Sequence, residues 1–181
     1  LTHRHIDMML DILTEHKISY EDIGGVEIDV GPVDYTCNRP QPKDTEDARF
    51  SFQHIMAALM LDGDIDSQHF TDEKLSDNRF RDTWPKVSVT NHPDWPAEFM
   101  SGVARITVSL ANGEKIVREK KQALGGPQFP LTKEQFKDLY HKYTKNVLTS
   151  TDVEETWQNI SNLEKMDNLT DFLQKIESPG K

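Results

Sequence analysis

The stretch ARITVSLANGEKIVREK, residues 104–120, decides the fold. Ala104, Ile106, Val108 and Leu110 alternate with Arg105, Thr107 and Ser109, a period of two that sends the two sets of side chains to opposite faces of a strand. Asn112-Gly113 follows, and Lys115 to Lys120 continues the pattern, which predicts an antiparallel hairpin closed by a primed turn. Toward the amino terminus, Val26, Ile28 and Val30 alternate with Glu27 and Asp29 after a Gly24-Gly25 break, and Pro32 ends that strand. Val87 and Val89 repeat the alternation until the loop NHPDWP at residues 91–96.

Helical spacing fills the intervals. Ile6, Met9, Leu10 and Leu13 predict an amphipathic helix over roughly residues 3 to 16, with Thr2 in the N-cap position. Pro32, Pro40 and Pro42 mark an irregular segment. Ala48, Phe52, Ile55, Met56 and Leu59 then form an apolar ladder over Glu46 to Leu61, a core helix that Gly63 is placed to end. Residues 72–77 offer a short helix. Thr132 and Gln135 form a capping box ahead of Phe136, Leu139, Tyr140, Tyr143 and Val147. Thr151 with Glu154 predicts the start of another helix, and Leu169, Phe172, Leu173 and Ile176 mark a last one. An antiparallel pair among irregularly interleaved helices places the chain in the α+β class, a small, mostly antiparallel sheet packed with helices and followed by carboxy-terminal helices.

The bulk composition narrows the function. In 181 residues there are 21 Lys and Arg against 31 Asp and Glu, a formal charge of -10, which argues against nucleic acid or an anionic membrane surface as partner. No apolar run approaches the roughly 20 residues needed to span a bilayer. The expectation is a soluble protein, cytoplasmic by default. The single cysteine, Cys37, has no partner for an internal disulfide, which fits a reducing compartment.

Few residues carry chemistry by pattern alone. Gly24-Gly25 precedes a strand and Gly125-Gly126 precedes a proline, so neither makes a phosphate-cradling loop. Among seven histidines, His3 and His5 with Asp7 form the one close cluster of metal-ligand types. His3 and Asp7 share a helix face while His5 points elsewhere, so a solvated helix start is the plainer reading than a metal site. His3 is also a candidate acid/base, because imidazole titrates near neutral pH and Asp7 one turn later can orient it or hold its proton. A surface histidine without that role is the competing reading. Arg49 has a fork suited to a substrate carboxylate, against the plainer role of a locally paired arginine. His54 falls on the apolar stripe and reads as a satisfied core histidine. Trp84, Trp95 and Trp157 are scattered, as packing residues are.

Three stretches together, THRHIDMMLDIL, EDARFSFQHIMAALMLDGDI and GGPQFPLTKEQFKDLYHKY, in this order and spacing, resemble the MmgE/PrpD family over roughly residues 1 to 177. The resemblance implies an α+β lid domain at residues 1–130, and terminal helices at 131–181 that pack on an amino-terminal helical domain not contained in these residues. It implies a lyase without metal or organic cofactor, of the 2-methylcitrate dehydratase type found in propionate catabolism, acting on a small di- or tricarboxylate. Decarboxylation or epimerisation of a related acid is the alternative within the family. His3 is implied as the catalytic histidine, with Asp7 as its acidic partner and His5 as the fallback if the register slips by two. The resemblance implies a homodimer in the cytoplasm, or in the mitochondrial matrix of a eukaryote. The helical domain's catalytic positions have no counterpart here, so the isolated chain is expected to be inactive, and a non-catalytic binding or dimerisation module is the reading from a different class.

Overall fold

A computed structural model of the protein describes residues 1–97, 102–145 and 147–177. Its strands β1 (Ile23–Val30), β2 (Val87–Asn91), β3 (Ala104–Leu110) and β4 (Lys115–Lys120) form one sheet in the order β2-β1-β3-β4. β3 pairs antiparallel with β4, and β1 pairs antiparallel with β3, with Val26 opposite Val108 and Ile28 opposite Ile106. On the other side of β1, β2 runs parallel, from Val26 against Val87 to Val30 against Asn91. The fold is thus α+β, with a mixed and mostly antiparallel sheet.

Alternation puts Val26, Ile28, Val30, Ala104, Ile106, Val108 and Ile116 into the core. Two helices cover that face: α1 (His3–His16) with Met8, Met9 and Ile12, and α3 (Phe52–Asp62) with Phe52, Ile55, Met56 and Leu59. Every residue from Phe52 to Met60 is buried, because the opposite side of α3 meets a second cluster of Leu75, Phe80 and Trp84. A helix covered all round belongs to the core, and each large apolar side chain so buried contributes about 1.5–3 kcal/mol. Leu75 and Phe80 come from α4 (Asp72–Ser76) and α5 (Asn78–Thr83).

Several local expectations are corrected. The helix predicted over Glu46 to Leu61 is two helices, α2 (Thr45–Arg49) and α3, broken at Phe50 and Ser51. The Ser51 hydroxyl accepts from the His54 N–H at 3.1 Å and donates to the Arg39 carbonyl at 2.7 Å, so it caps a new helix instead of continuing the old one. Gly24-Gly25 lies inside β1, not before it, at a register irregularity between Ile23 and Gly25. A Cβ on Gly24 would sit 3.3 Å from the Ser109 carbonyl oxygen, so the bare backbone permits the close approach of β3. The 110–114 turn is not primed. Gly113 has φ 90°, whereas Ala111 and Asn112 keep negative φ, and the Gly113 N–H bonds to Leu110 O at 2.9 Å. That is a three-residue connection with glycine in the left-handed position. Thr2 occupies the N-cap of α1 in a helical conformation, and its side chain makes no capping bond. Gly63, with φ 71°, does end α3.

The strands and helices above belong to one compact unit, Leu1–Phe129; a second comprises Pro130–Lys181. It contains α6 (Lys133–Thr144), α7 (Ser150–Ser161) and α8 (Thr170–Glu177). The Thr132–Gln135 capping box forms as expected, but α7 is capped by Thr149, which accepts from the Asp152 N–H, two residues before the predicted Thr151. Trp157 packs on Tyr140, whose hydroxyl donates to Thr156 at 2.7 Å. Phe136, Tyr143, Val147, Ile160, Leu163 and Leu173 remain exposed.

Candidate active site

The first turn of α1, the turn around Asp34 and the segment after β4 enclose a cavity of about 450 Å³. His3, Arg4 and Asp34 line it together with Leu1, Ala123, Leu124, Pro127 and the glycines 125 and 126. Helical geometry explains why neighbours in sequence part company here. Arg4, Met8 and Ile12 follow the buried stripe of α1, His3 sits beside that stripe and is exposed, and His5 turns into the core.

Arg4 is a buried charge, 5% exposed, so it needs a buried partner. The Asp34 carboxylate provides it in a tight ion pair, and the Lys121 carbonyl accepts a second bond from Arg4 at 3.3 Å. The arginine's charge is therefore neutralised within the cavity wall. Neither Arg4 nor Asp34 was singled out from the sequence. An arginine on the apolar stripe of an amphipathic helix was the available signal, since such a residue requires a counter-charge from elsewhere in the fold.

His3 carries the remaining titratable group of the cavity. Its imidazole is shifted below the ordinary value, chiefly by partial desolvation, with the Asp7 carboxylate opposing the shift. The ring is thus neutral near pH 7 and competent to accept a proton. Asp7 does not hold it by a hydrogen bond. Instead the Asp7 carboxylate accepts from the Leu124 N–H at 2.7 Å and from the Lys120 ammonium at 3.4 Å.

The other two sequence candidates lie away from this cavity. His5 is fully buried, edge-on to Phe52 at 5.0 Å, with its Nε2 3.4 Å from the Asp29 carbonyl and no partner for Nδ1. Desolvation pushes its imidazole down to about 4. Arg49 ends α2, and its guanidinium faces Glu46 at 3.5 Å on the surface. His54 is a core residue bonded to the His69 carbonyl at 2.7 Å. Cys37 is buried and free. Among the described residues, no group of three or more His, Cys, Asp or Glu side chains is arranged to hold a metal, and no helix is long and apolar enough to cross a membrane.

An imidazole at a cavity whose one arginine is neutralised offers proton transfer to a small molecule, not a cradle for several negative charges. The fold is that of an α+β domain with a mixed, mostly antiparallel sheet, with this cavity at the start of α1. The chain belongs to the MmgE/PrpD C-terminal domain family, whose model matches residues 1–165. It is 24% identical over 143 residues to the cis-aconitate decarboxylase of Mus musculus and 25% identical over 143 residues to that of Homo sapiens. Each match covers 79% of this chain and only 29% and 30% of the respective relative.

Proposed function

We propose that the chain is the lid portion of a lyase of this family, acting on a small di- or tricarboxylate with His3 as the acid/base group. The observation that carries the reading is the His3 imidazole lining a cavity of about 450 Å³, large enough for such an acid. In a dehydration, His3 takes the proton next to a carboxylate, the electron pair forms the double bond, and the hydroxyl, protonated by a general acid from outside these residues, departs as water. The motif stretches resemble the family as a whole, in which such 2-methylcitrate dehydratase-like chemistry is one of the reactions. The names of the two relatives support a second reading, in which carbon dioxide leaves, its electron pair shifts across the neighbouring double bond, and a proton is delivered at another position.

Because Arg4 is neutralised by Asp34, the substrate's carboxylates require cations from outside these residues. A longer protein, with a helical domain preceding this segment, would supply them, and the exposed apolar residues of α6 to α8 give that domain, or a second copy, a surface to pack on. The isolated chain is then expected to show no turnover.

The test is product analysis of the complete protein carrying this segment, supplied separately with 2-methylcitrate and cis-aconitate. Water loss from the first supports dehydration, and carbon dioxide from the second supports decarboxylation. Turnover unaffected by His3→Ala, or turnover of neither acid, would overturn the proposal.

A further inference from the structure

Asp7 lies one turn after His3, the natural place for a carboxylate that holds an imidazole's proton, yet its observed bonds run elsewhere. Its Oδ2 accepts from the backbone N–H of Leu124 at 2.7 Å, across 117 residues of chain. Lys120 approaches the same oxygen at 3.4 Å and Asp11 at 3.5 Å. Among the described residues no hydrogen bond joins Asp7 to His3. The second tie to this segment is the Arg4 guanidinium, which donates to the Lys121 carbonyl while paired with Asp34. Within the segment, the Gly125 N–H bonds to Phe129 O at 2.8 Å and the Phe129 N–H to Gly126 O at 3.0 Å. The loop is therefore a closed unit fastened to α1 at two points, and residues 122–127 are a wall of the cavity that His3 shares.

We infer that Asp7 is a positioning residue, whose carboxylate fastens the 121–127 segment as a wall of the cavity through the Leu124 N–H and does not serve as the proton partner of His3. Arg4 and Asp34 fasten the same segment from the Lys121 side. The inference rests on the reading of His3 as the acid/base group, and it assigns how the surroundings of that group are built. Desolvation, the largest influence on His3, follows from the wall being closed, whereas the direct field of Asp7 acts in the opposite direction. The charged side chains at or bordering the cavity are Arg4, Asp34, Asp7 and Lys120.

The two roles predict opposite signs, which the 181-residue chain can report without catalysis. The measurements are the NMR titration of the His3 ring and the hydrogen exchange of the Leu124 amide. If Asp7 is the fastening, Asp7→Ala opens the wall, the His3 pKa rises toward the ordinary value, and Leu124 exchanges faster by roughly tenfold or more, the scale of one bond to a charged acceptor. Asp7→Asn keeps an acceptor oxygen, so Leu124 stays protected while the His3 pKa falls slightly for loss of a negative charge. Leu124→Pro removes the donor from an exposed loop position without touching α1, and it is expected to raise the His3 pKa as Asp7→Ala does; this variant decides the matter if Asp7→Ala does not fold. A fall in the His3 pKa in both Asp7 variants, with Leu124 exchange unchanged, would make Asp7 the direct partner and overturn the inference. Failure of the lyase reading would appear in the product analysis and leave these signs unaltered.

Discussion

Acid should unfold this protein through His5 before its carboxylates titrate. The ring is fully buried against Phe52, and burial is the main reason its imidazole is pushed down to about 4, with the charge of Arg4 adding to the effect. In the unfolded chain the same ring titrates near 6.5. As pH falls, the unfolded state binds a proton that the folded state refuses, so stability is full above about pH 6.5 and is lost progressively toward about pH 4. At 1.36 kcal/mol for each pH unit between the two values, the whole effect is about 3 kcal/mol, of which about 2 kcal/mol falls between about pH 7 and pH 4.5. His54, lowered by desolvation as well, adds to the same slope. Asp22 and Asp47 are held below the usual carboxylate range by the N–H groups of Ser19 and Lys43, and they weaken the fold only at lower pH. The assay is urea unfolding of wild type and His5→Leu at the two pH values. His5→Leu should lose about 2 kcal/mol less than wild type on acidification, and an identical loss in both would refute the assignment.

Further outcomes concern the elements that hold the site. Ser51→Ala removes the α3 cap and the bond to the Arg39 carbonyl, and urea unfolding should show a cost of about 2 kcal/mol. Arg4→Met leaves Asp34 buried without its counter-charge and should cost about 3–5 kcal/mol, much of it recovered in the double variant with Asp34→Leu, as a double-mutant cycle would show. Gly63→Ala places a side chain at φ 71° and should lower stability by about 1 kcal/mol in thermal unfolding. His3→Ala, at an exposed position, should leave the unfolding midpoint essentially unchanged, which separates its chemistry from folding.

What could be read in advance follows the range of the interactions. The β3–β4 hairpin and α1 were legible because each is a local periodicity. The parallel partnership of β1 with β2 was not, since the helices α2 to α5 separate the two strands and a parallel ladder leaves no turn signal. Ser51 was absorbed into the apolar ladder because a serine within a helix is tolerated, and only its bond to Arg39 makes it a boundary. His3 stood out as a residue, but its surroundings did not. Arg4 and Asp34 are 30 positions apart, and Asp7 meets Leu124 across 117, distances over which composition and spacing are silent. The GGPQFP stretch opens one of the three segments that together carried the family resemblance, and its leading glycines, 125 and 126, lie in the wall of the cavity.

The most direct test of the account is the effect of His3→Ala on kcat in the complete protein that carries this segment, measured with cis-aconitate and 2-methylcitrate. The account predicts turnover of one of these acids by wild type, a fall of about 10²–10⁴-fold in the variant, and an unchanged unfolding midpoint. An undiminished kcat in His3→Ala would contradict it.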